Sequence, residues 1–244
     1  MGYRETYEAW LREDLDPDTR AELAAIAGDE RELEDRFYTE LAFGTAGMRG
    51  ALGAGSNRMN RYTVGRATQG LANVVREHGP EAAARGVVIA YDSRRQSAAF
   101  ALESALILCA NGVRAYLFDG LRPTPELSFA VRHLGCIAGI NITASHNPAP
   151  YNGYKVYWED GGQMPPAPAQ RVQEEIRAIP SFAAIRRMER AEAEGRGLLT
   201  IVGPEVDEAY LDKIHSVILS PAVIAAAADL KIVYTPLHGA GNRL

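Results

Sequence analysis

Cys136-Ile137-Ala138-Gly139-Ile140-Asn141-Ile142-Thr143 runs almost wholly apolar and then breaks into Ala144-Ser145-His146-Asn147-Pro148. A short apolar run without alternation reads as a strand buried on both faces, the kind found in parallel sheets covered by helices. The segment after it then lies at the strand's carboxyl end, where open α/β sheets place their ligands. Polar groups are dense there. Ser145 offers a nucleophilic hydroxyl, His146 a titratable neighbour, and Thr143 and Asn147 hydrogen-bonding groups, while Pro148 stiffens the exit. An adjacent imidazole could activate the serine. A turn whose Ser and Asn merely cap backbone groups would use the same residue types, and from these residues alone both readings stand.

Outward from this stretch, strand-like and helix-like segments alternate. Tyr62 to His78 has helical periodicity, Gly86 to Tyr91 is a short β-branched run, and Ser97 to Ala110 is an apolar helix stopped by Asn111-Gly112. Val113 to Phe118 reads as a strand, Pro123-Thr124-Pro125 opens a helix, and Tyr154 to Trp158 forms a fourth strand. This alternation predicts an α/β fold: a mixed, largely parallel sheet with helices on both faces. The short link from Thr143 to Tyr154 leaves room for one antiparallel member. Residues 1–40 form a helical lead-in, and the glycines at 44, 47, 50, 53 and 55 mark a loop or tightly turned strand. After Pro165-Pro166 an Ala-rich helical stretch runs to about Glu194, interrupted at Pro180, and Gly195 to Pro204 reads as the passage out of a domain spanning 41–195. Residues 196–244 are expected to start a second α/β domain, with a helix from Glu205 to Leu219 and a strand from Leu230 to Tyr234. That unit would be incomplete.

Charge narrows the function. The net charge is −5, which argues against a nucleic-acid partner. Of the 31 acidic residues, thirteen fall in the first forty positions, beside five of the 26 basic ones. The rest of the chain is mildly cationic, as suits a protein handling phosphate esters. Cys109 and Cys136 each lie in an apolar run and read as buried reduced thiols. No run is long enough to span a membrane, and Met1 to Trp10 has no hydrophobic signal core, so the expected location is cytoplasmic. Ser145 has neither flanking glycine of a hydrolase elbow, and glycines 50, 53 and 55 fit neither nucleotide-binding fingerprint.

Thr143-Ala144-Ser145-His146-Asn147-Pro148 resembles the active-serine signature of the α-D-phosphohexomutase superfamily, the phosphoglucomutases and phosphomannomutases. Phe43-Gly44-Thr45-Ala46-Gly47-Met48-Arg49-Gly50 is similar to its N-terminal signature, Asp92-Ser93-Arg94 to its Asp-x-Arg element, and Asn152-Gly153-Tyr154-Lys155 to its Asn-Gly-aromatic-Lys element. Four signatures in order are far more specific than any one. Asn57-Arg58-Met59-Asn60 and Trp158-Glu159-Asp160-Gly161 further resemble the branch containing phosphopentomutases and glucose 1,6-bisphosphate synthases.

The resemblance implies that Ser145 carries a phosphoryl group, gives it to a sugar phosphate, and receives one back from the resulting bisphosphate. Arg49 and Lys155 would supply positive charge, His146 would assist as acid, base or donor, and Thr45 would join Arg49 and Lys155 in holding substrate. Asp92 and Arg94 fit a structural ion pair under the serine loop as well as a ligand contact. The resemblance also implies Mg²⁺, held through a phosphoryl oxygen on Ser145 and three aspartates of a second-domain loop absent from these residues. Glucose 1,6-bisphosphate or a similar sugar bisphosphate would be the activator. The sugar-reading and phosphate-clamping loops of the later domains are missing too, so the expectation is a truncated portion of a mutase, inactive alone. Such a portion could also serve only as a folded binding module.

Overall fold

The computed structural model describes residues 2–244. Three helices come first, α1 (Tyr3–Arg12), α2 (Pro17–Ala25) and α3 (Glu30–Phe37). Asp16 and Asp29 cap the second and third by accepting from Thr19 N–H and Glu32 N–H. The lead-in is fixed by its own apolar cluster: Trp10, Leu23, Leu33 and Phe37 pack with Tyr62 and Phe182 of the following domain.

The domain then runs β1 (Met48–Ala51), α4 (Arg61–Glu77), α5 (Pro80–Arg85), β2 (Val87–Tyr91), α6 (Ser97–Ala110), β3 (Ala115–Phe118), α7 (Thr124–His133), β4 (Ala138–Ile142) and β5 (Tyr151–Trp158). After these come α8 (Pro166–Ala178), α9 (Arg190–Gly195), β6 (Leu199–Val202), α10 (Pro204–Ser216) and α11 (Pro221–Ala226). The six strands form one sheet in the order β1-β5-β4-β2-β3-β6. β4, β2, β3 and β6 are parallel, and β5 is antiparallel to both β4 and β1. The fold is thus the expected α/β layer, with β5 as the antiparallel member.

Alternation along the strands splits the core in two. Val87, Ile89, Ile140, Ile142, Tyr154 and Val156 face one way and pack with Val64, Leu71 and Leu108 of α4 and α6. Val88, Ala90 and Tyr157 face the other and meet Leu127, Ala130 and Val131 of α7. α7 sits so close to β4 that a Cβ at Gly139 would lie 2.6 Å from the Val131 side chain. Both cysteines are buried and unpaired, and burial pushes Cys109 up to about 11 and Cys136 to about 12. They are inert thiols at neutral pH.

Two sequence expectations need correction. Residues 195–204 do not leave the domain. Leu199–Val202 pairs in parallel with Ala115–Phe118 as the edge strand β6. Val202 and Val206 join the second core, and Asp207 on α10 accepts from buried Arg122 at 2.6 and 2.9 Å. The 41–195 boundary therefore falls short, because a four-residue strand in a Gly-rich setting carries too weak a pattern to stand out. Leu230 to Tyr234 is not a strand. It lies exposed, with Val233 95% accessible and no neighbouring strand to pair with among the described residues. A β-branched run becomes a strand only where a sheet edge receives it.

Candidate active site

The serine loop begins where β4 ends. Ser145 has φ +55°, a left-handed backbone uncommon for a non-glycine residue. Two sets of hydrogen bonds hold it there. Asp92, just past β2, accepts from Thr143 Oγ1 at 2.6 Å, and that hydroxyl oxygen accepts from the Ser145 N–H at 2.9 Å. Arg94 reaches over from the same β2 loop and donates to four carbonyl oxygens: Ser145 at 2.7 Å, Asn147 at 2.6 Å, Pro148 at 3.0 Å and Tyr151 at 3.1 Å. Asp92 in turn accepts from the Arg94 N–H and from Ser97 Oγ, both at 3.0 Å. Asp92 and Arg94 therefore support the loop. Of the two roles open to them in the sequence, the structural one is what these contacts describe.

Ser145 and His146 are exposed at the loop's tip, with Ser145 Oγ 3.4 Å from His146 Nδ1. Beside them lies a cationic ledge. Arg49 on β1 is in register with Gly153 on β5, and Lys155 is two residues farther along, so both side chains lie on one face. Arg49 Nη1 donates to Asn147 Oδ1 at 2.7 Å, joining ledge to serine loop. Burial, and then the nearby Arg49 charge, hold the Lys155 amine below its ordinary range, with Asp92 opposing the shift. Gly47 lets the glycine-rich loop press onto β5: at φ +78°, a Cβ there would fall 1.8 Å from the Tyr154 carbonyl oxygen. No other residue fits that position.

Ser145, His146, Arg49 and Lys155 are thus brought together. Thr45 is not. It sits exposed in the Gly44–Gly47 turn, lining a separate cavity of about 340 Å³ with Phe43 and residues of α8. Sequence reading gave Asn147 and Thr143 no particular partners. The pairing of Thr143 with the Asp92 of Asp-Ser-Arg could have been sought, since parallel neighbours β2 and β4 end side by side.

The fold and site define a three-layer α/β/α domain with a basic ledge beside an exposed, strained serine. Residues 40–182 match the family model described as phosphoglucomutase/phosphomannomutase, alpha/beta/alpha domain I, and the chain belongs to that family. It is 40% identical over 210 residues to a phosphoglucomutase of Staphylococcus saprophyticus, covering 86% of this chain and 37% of that protein. It is 33% identical over 245 residues to the phosphopentomutase of Mus musculus, covering 96% of this chain and 38% of the other. The open-form crystal structure of the Paramecium phosphoprotein pp63/parafusin, a phosphoglucomutase, shares the fold. Its TM-score is 0.63 at 17% identity, over 83% of this chain and 40% of that one. The chain therefore spans well under half the length of these relatives.

Proposed function

We propose that this chain is the serine-bearing part of a phosphosugar mutase that moves a phosphoryl group between sugar hydroxyls. Phosphoserine at Ser145 gives its phosphoryl to a free hydroxyl of a sugar monophosphate: the sugar O–P bond forms as the Ser145 Oγ–P bond breaks, and the hydroxyl proton passes by way of a base to the freed serine oxygen. The bisphosphate turns over, and its other phosphoryl returns to Ser145. A 1-phosphate and a 6-phosphate of glucose are thereby exchanged, with glucose 1,6-bisphosphate priming the serine. The likeness to a phosphopentomutase makes a pentose phosphate the comparison substrate. The observation that carries this reading is the meeting of an exposed Ser145 with Arg49 and Lys155 across three separate chain segments. Phosphoryl transfer rests on positioning and on charge around the moving group. Arg49 and Lys155 supply that charge, and the imidazole of His146, 3.4 Å from Ser145 Oγ, takes the sugar proton.

Mg²⁺ would lend further charge to the transferring group when bound. Around Ser145 this chain presents Arg49, Lys155 and His146, while Asp92 is engaged by Thr143, Ser97 and Arg94. Among the described residues no group of three or more His, Cys, Asp or Glu side chains is placed to hold a metal. One phosphoryl oxygen does not make a magnesium site. The residues of this chain do not by themselves fit the ion.

The test is transfer of label from ³²P-glucose 1,6-bisphosphate to the full-length protein, followed by peptide mapping. Label is expected on Ser145 and nowhere in Ser145→Ala. Label persisting in that variant would overturn the assignment.

A further inference from the structure

The contacts of Arg94 have a second side. The peptide unit joining Ser145 to His146 is planar and trans, so its C=O and N–H point in opposite directions. Its carbonyl oxygen is drawn back to Arg94 Nη2 at 2.7 Å. The His146 N–H must then point forward, away from the guanidinium. The other amides of the loop are spoken for. Ser145 N–H donates to Thr143 Oγ1, Asn147 N–H to the Ala144 carbonyl at 3.1 Å, and Pro148 has none. Between Ser145 and Pro148, only the His146 N–H lacks an acceptor among the described residues, and it lies in the exposed tip beside Ser145 Oγ. An N–H fixed in place next to a nucleophile, with its carbonyl partner already neutralised behind it, is how a backbone donor for a developing oxyanion is built.

We propose that the His146 backbone N–H donates directly to a phosphoryl oxygen at Ser145, and that Arg94 is the positioning residue that aims it. This rests on the phosphoserine reading above. The Arg94 side chain is mostly buried, 14% accessible, with both terminal nitrogens committed to loop carbonyls. It acts through the loop, turning four carbonyl dipoles away from a dianion that would otherwise meet them. Lysine cannot replace it: a single ammonium has three donors and no planar fork to span four acceptors.

The test is an NMR titration of the ¹⁵N-labelled protein with inorganic phosphate. The expected result is a saturable downfield movement of the His146 amide proton, together with responses at Arg49 and Lys155. In Arg94→Lys the apparent phosphate affinity should fall about ten-fold, the scale of one hydrogen bond to a charged group. The amides of Val88 and Ile140 in the central strands should keep their shifts. An unmoved His146 amide, with Arg49 and Lys155 still responding, overturns the donor assignment and leaves the site reading intact. Unchanged affinity in Arg94→Lys overturns the positioning role. No response at Arg49, Lys155 or the loop overturns the phosphate-site reading itself. The wild-type arm needs no variant, so it decides the donor even if Arg94→Lys unfolds.

Discussion

Arginine outnumbers lysine heavily in this chain, whose lysines are Lys155, Lys213 and Lys231. Arg stays charged in proteins, whereas a lysine amine can be shifted into a useful range by burial. Lys155 is the partly buried one, and burial and Arg49 both push it down. With ¹³C-lysine the three side chains can be titrated separately. Lys155 should lose its proton below the ordinary lysine range, and Arg49→Ala should move its midpoint upward. A Lys155 midpoint indifferent to Arg49→Ala would show that the two side chains do not share a ledge in solution. On the proposed reading, the same substitution in the full-length protein should lower mutase turnover, and in this chain it should leave cooperative folding intact, since Arg49 is exposed and joins no core. The serine, the histidine, the arginine and the lysine were all legible in the sequence through their signatures. Thr45 was legible only as part of a motif, and motif membership says nothing about where a turn points its tip.

Among the elements, α7 and α10 meet around an unusual buried group. Glu126, fully buried on α7, lies among Asp119, Arg122, Asp207, Tyr210 and Arg243. Burial, and then Asp207, push its carboxyl up to about 8 from an ordinary 4.5. The folded chain therefore keeps a proton that the unfolded chain releases. Stability from this group is complete below about pH 4.5 and declines as pH rises through 8. Glu126→Gln, which is neutral throughout, should remove that decline, so its melting temperature should gain on the wild type steadily from pH 5 to pH 8. Parallel curves would show that Glu126 is charged in the fold. Most elements were legible because long apolar or amphipathic runs carry their own period, and the helix at Ser97–Ala110 was read to the residue. β6 and the segment 230–234 were not, because both depend on whether a sheet edge is within reach. A period cannot encode that.

At the scale of the whole molecule, the packed body extends from the lead-in helices through the first turns of α10. Beyond it Leu219 is 96% accessible, and Ile224, Leu230, Ile232 and Val233 are also exposed. Arg243 pairs with Asp119 at 2.9 Å, and Ser93 Oγ donates to the His238 carbonyl at 3.1 Å, so the segment returns to the sheet only at isolated points. Exposed backbone with few buried contacts opens readily. Limited proteolysis should cut first between Val217 and Leu237 and leave a resistant product ending near Ser216. A first cut inside 41–202 would contradict this division. The strand order has one further consequence, for synthesis. β5, β4, β2 and β3 occupy the middle of the sheet, while β6, the last of its six strands in chain order, closes the outer side of β3. As the chain leaves the ribosome, β3 keeps an uncovered hydrogen-bonding edge until Leu199 to Val202 emerges. An open strand edge invites pairing with another chain. The interval between those two strands is therefore when the nascent protein most needs a chaperone.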